Sequence, residues 1–156
     1  MVEQKIEKII IDKFAAALEA ANVEGLQIIG AWQTAAAVKA LEEAYVRGYL
    51  SVKVQPRAFQ TYTVSDGELT VRVELNIKAE LDAKGVDYLT ITNILTNVLA
   101  AWHKSYAVGK ADFELEDEFL FTGFRLDGGD CGIDRDHNTW TWMQGFTIQG
   151  IFDTNK

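Results

Sequence analysis

The stretch from Leu69 to Leu81 alternates without a break. Leu69, Val71, Val73, Leu75, Ile77, Ala79 and Leu81 are apolar, and Thr70, Arg72, Glu74, Asn76, Lys78 and Glu80 between them are polar. A period of two sends successive side chains to opposite faces of a strand, so one face of this segment is buried and the other is wet. Parallel strands covered on both sides read instead as continuous apolar runs. The alternation therefore predicts an antiparallel sheet covered on one side, and the cover has to come from elsewhere in the chain.

Two amphipathic segments can supply it. From Val2 to Ala21, Ile6, Ile9, Ile10, Phe14, Ala17, Leu18 and Ala21 recur at spacings of three and four, with Glu3, Glu7, Lys8 and Glu19 falling elsewhere. This predicts a helix that Asn22 and Gly25 end. From Tyr88, the residues Ile91, Ile94, Leu95, Val98, Leu99 and Trp102 mark a second helix, capped by Asp87 or Thr90. Its polar face, Thr92, Asn93, Thr96 and Asn97, carries no charge, a hint of a partly covered surface. Between these helices, Leu26 to Trp32 suits a strand and Thr34 to Val46 a further Ala-rich helix; the alternative is one irregular helical region.

The remaining segments have strand texture. Leu50, Val52 and Val54 alternate with polar residues until Pro56, the only proline, stops or edges the strand because it has no backbone donor. Phe59 to Val64 follows, then a turn signal over Ser65 to Glu68, where Gly67 can take a positive φ. Lys84-Gly85 breaks the long strand, and Gly109 is read as the break after the second helix. Phe113 with Leu115, Glu118 to Leu126, and Thr139 to Phe152 are rich in aromatic and β-branched residues. In the last of these, Trp140, Trp142, Phe146, Ile148 and Phe152 share one parity and face one side of the sheet. The expected fold class is α+β: a mostly antiparallel mixed sheet flanked by two or three helices in a single layer, all in one domain over residues 1–156.

Charge narrows the function classes. Lys plus Arg is 15 against 23 Asp plus Glu, a net charge of −8. That is the wrong sign for stable nucleic-acid binding or for anionic membrane surfaces. The longest purely apolar runs, such as Phe14 to Leu18, are far short of the roughly 20 residues a membrane span needs, and the first residues do not read as a signal peptide. The single cysteine, Cys131, makes no intramolecular disulfide, which suits a reducing cytoplasm.

The residues that most invite a chemical reading lie between Asp127 and Asn138. Asp127, Asp130, Asp134, Asp136 and His137 stand among flexible glycines in what reads as a long polar hairpin loop, a composition that permits a hard cation such as calcium. The spacing does not follow the EF-hand, and the segment occurs once, so the bland reading is Asp and Asn bonding their own backbone. Only two histidines exist, His103 and His137, and no C-x-x-C or H-E-x-x-H spacing favours zinc. Cys131 with His137 as its base lacks an oriented third group. No phosphate-cradling glycine motif is present. The sequence therefore predicts no catalytic residues, no metal ligands and no cofactor. Trp32, Trp102, Trp140 and Trp142 are expected in core and interface rather than in base stacking.

An N-terminal amphipathic helix, strands ending in the long Leu69–Leu81 segment, a helix over Tyr88–Trp102, and closing strands that include Thr147-Ile-Gln-Gly-Ile-Phe152 give an order that resembles tailed-phage tail-terminator and tail-completion proteins. Leu26 to Val46 and the loop from Asp127 to Asn138 depart from a minimal subunit of that kind. The resemblance implies a non-enzymatic structural protein of a phage or prophage tail, assembled in the bacterial host cytoplasm. It implies self-association into a ring that joins the tail tube to the head, with tail-tube or head–tail connector proteins as partners. The alternative is a ligand-binding or metal-dependent α+β enzyme built around residues 127–138.

Overall fold

A computed structural model describes residues 2–23, 25–30, 48–55, 58–61, 66–81 and 87–153. The expected helix over Thr34 to Val46, Trp32, Pro56, and the expected breaks at Ser65 and Lys84-Gly85 lie outside the described residues. Six strands form one sheet: β1 (Leu26–Gly30), β2 (Gly48–Val54), β3 (Ala58–Thr61), β4 (Asp66–Glu80), β5 (Phe119–Asp134) and β6 (Thr139–Asp153), in the order β1-β2-β4-β6-β5 with β3 also pairing β4. Among the described strands, β1 and β2 are the one parallel pair. Helices α1 (Val2–Ala20), α2 (Tyr88–Lys104) and α3 (Tyr106–Phe113) pack on one another and against the sheet. The result is the α+β class that the alternation implied.

Strand β4 is the spine. It pairs with β6 along its whole length, from Asp66↔Asp153 to Glu80↔Thr139, and with β2 over Val73 to Ala79. Its apolar parity, Leu69 to Ala79, is buried, while Arg72 and Lys78 are exposed. Register carries this parity to the neighbours. Ile77 faces Trp142, Val73 faces Phe146 and Val71 faces Ile148, so the apolar side chains of β6 join the same core. The far end of β2 obeys the Pro56 argument: the strand ends at Val54, and the Gln55 N–H still donates to the Arg72 carbonyl at 2.9 Å.

The helices close that face. Ile6, Ile10, Phe14 and Leu18 of α1 and Ile91, Leu95, Leu99 and Trp102 of α2 are all buried. Trp102 is the hub, with Phe14, Phe113, Phe124 and Phe146 around it at centroid distances of 5.8, 4.7, 5.8 and 6.0 Å. Its indole N–H donates to Asp112 Oδ2 at 2.6 Å, which satisfies the one polar atom of the side chain. Asp87 caps α2 by accepting from the Leu89 N–H, and the Thr90 hydroxyl donates to its other oxygen at 2.7 Å. Asn22, at φ 58°, turns the chain out of α1 as expected.

Four expectations need correction. Gly109 does not break a helix; it lies inside α3, because a Cβ there would sit 2.6 Å from the Phe121 ring and only glycine lets this helix approach β5. Gly67 is not a left-handed turn residue either; it lies in β4, where a Cβ would meet the Phe152 ring at 2.7 Å. Glu3 and Glu7, which fall outside the apolar spacing of α1, are nonetheless buried, and Glu7 occupies the space that the missing side chain of Gly30 leaves on β1. Both carboxylates have interaction partners within the chain. Finally, Asp127 to Asn138 is not a long loop: β5 runs on to Asp134, and only Arg135 to Asn138 form the turn into β6.

Candidate functional site

The corrected hairpin dictates what its acids do. Between Leu126 and Gly129 the register with β6 shifts, so Asp127 and Gly128 together oppose Gly145. This bulge turns the Asp127 carboxylate toward Thr147 and Arg125, and it accepts from the Thr147 hydroxyl at 2.7 Å and from Arg125 Nε at 3.0 Å. Thr147 is a polar residue inside β6 with no exposed surface, so Asp127 satisfies a buried hydroxyl. Gln144 Nε2 donates to the carbonyls of Asp127 and Gly145 at 2.8 and 2.9 Å, fixing the bulge from the other strand. Gly129 is required beside it, because a Cβ would lie 2.6 Å from Gln144 Oε1 and 2.8 Å from the Met143 carbonyl.

Asp130 and Asp134 are also engaged locally. Asp130 accepts from the Cys131 N–H at 2.8 Å. Asp134 accepts from the backbone N–H groups of Asp136 and His137 at 3.1 and 3.2 Å, and its second oxygen lies 2.7 Å from His137 Nδ1. This is an Asp-anchored turn, completed by Asn138 at φ 53° and tied to β4 by the Leu81 N–H donating to the Asn138 carbonyl at 2.9 Å. Among the described residues, no group of three or more His, Cys, Asp or Glu is placed to hold a metal ion. His137 is held by Asp134 rather than by Cys131, and His103 stands exposed in the last turn of α2.

A surface that sequence reasoning missed lies beside this hairpin. The helix layer stops short of the hairpin tip, leaving a groove of about 1080 Å³ between the first turns of α2 and the ends of β5 and β6. One wall is Tyr88, Leu89, Thr92, Asn93, Ile94 and Thr96; the other is Cys131, Ile133, Trp140 and Trp142. The Tyr88 and Trp140 rings meet across its floor at 5.9 Å. No Asp, Glu, Lys, Arg or His is among the lining residues, in a chain of which 24% is charged. The uncharged polar face of α2 is the part of this surface that the sequence did signal. Thr92 and Thr96 return their hydroxyls to carbonyls one turn back, at 2.7 Å each, and so offer little to water.

Two details mark the groove as unfinished. Leu89 and Ile133, on its two walls, are 66% and 45% exposed. The Trp140 indole N–H is buried and has no acceptor, a state that native structures rarely leave unexplained. Among the described residues, no helix is long and apolar enough to cross a membrane. Neither protein-family models nor curated proteins give a match to this chain.

Proposed function

We propose that this chain is a structural, non-enzymatic subunit of a phage or prophage tail, of the tail-terminator or tail-completion kind. It closes into a ring by self-association and joins the tail tube to the head. The observation that carries the reading is the pairing of two features. Asp127, Asp130, Asp134 and His137 of the 127–138 segment make local contacts within the β-hairpin, and the most distinctive surface is an uncharged apolar groove with exposed leucine and isoleucine. Grooves of this kind serve contacts between proteins more readily than chemistry, which needs convergent polar groups. The net charge of −8 fits a ring wall that repels phosphate, past which DNA slides without being held. The metal-dependent enzyme reading has no comparable support, because Asp127, Asp130 and Asp134 already accept hydrogen bonds from the fold.

The test is multi-angle light scattering of the purified chain from micromolar to millimolar concentration, with negative-stain electron microscopy and mixing with purified phage tail tubes. Ring-shaped particles that bind tube ends are expected. A strict monomer at the highest concentration that ignores tube protein refutes the proposal.

A further inference from the structure

We draw no further inference here: the strongest candidate, the uncharged groove between the first turns of α2 and the ends of β5 and β6, carries none because nothing in the structure shows what covers it.

Discussion

Gly109→Ala sets two effects of known size against each other. Gly109 is the fourth residue of the eight-residue α3, and replacing an interior helical glycine by alanine stabilises a helix by about 1 kcal/mol. Here the new methyl would sit 2.6 Å from Phe121 Cζ and 3.0 Å from Cε1. Inserting a methyl into a packed site costs about 1–3 kcal/mol, and the cost reaches the upper half of that range where the neighbour cannot move. Phe121 cannot: it is 1% exposed, Phe113 stacks on it at 6.2 Å, and Tyr106 lies against it at 5.4 Å. The clash wins, and the net expectation is a destabilisation of about 1–2 kcal/mol. In a Phe121→Leu background the obstructing ring is gone, and Gly109→Ala then becomes neutral or stabilising by up to about 1 kcal/mol. The double-mutant cycle should give a coupling of about 2 kcal/mol. Urea denaturation followed by tryptophan fluorescence measures it, because Trp102, Trp140 and Trp142 are buried in the folded chain. Gly109→Ala proteins more stable than wild type, or equally destabilised in both backgrounds, would show that the approach of α3 to β5 does not require glycine.

Two further outcomes are checked by thermal melting. Asp87→Ala removes the acceptor for the Leu89 N–H and the Thr90 hydroxyl, and it should cost about 1 kcal/mol, seen as a fall of about 2–4 °C in Tm; no change would mean the cap is idle. Calcium or EDTA in excess should leave Tm where it is, because Asp127, Asp130 and Asp134 bond Thr147, Arg125 and the backbone, and no group of three or more His, Cys, Asp or Glu among the described residues is placed to hold an ion. A cation bound at a hundred times its Kd would instead add about 2.7 kcal/mol and raise Tm by about 5–10 °C, and that rise would revive the metal reading.

What was legible in the sequence was legible because it depended on one element at a time. The period of two in Leu69–Leu81 and the 3.6 period in α1 and α2 follow from local geometry, and so do the Asp87 cap and the end of β2 before Pro56. The errors all involve a second element. Gly67, Gly109 and Gly129 look like turn or break residues along the chain, yet each is a glycine because a side chain from elsewhere, Phe152, Phe121 or Gln144, fills the space of its missing Cβ. Glu7 reads as solvated until Gly30 is seen to leave it room. The same cause hid the groove, since its two walls come from segments some forty residues apart and only the register of β5 on β6 brings Ile133 beside Trp140.

The glycine and aspartate segment shows why composition misled most where it was most distinctive. Alone, Asp127 to Asp134 has poor strand propensity, since six of its eight residues are glycine or aspartate and only Cys131 and Ile133 are apolar. It forms a strand because β6, held along its full length by β4 on its other side, presents a row of aligned carbonyls and amides to β5. On such a template weak propensity suffices, and glycine becomes useful where the bulge at Asp127 and Gly128 needs backbone to pass close to Gly145. The aspartates then act as strand protection. Asp130 occupies the Cys131 amide and Asp127 covers Thr147, and negative charge along an edge strand discourages pairing with a second edge of the same kind.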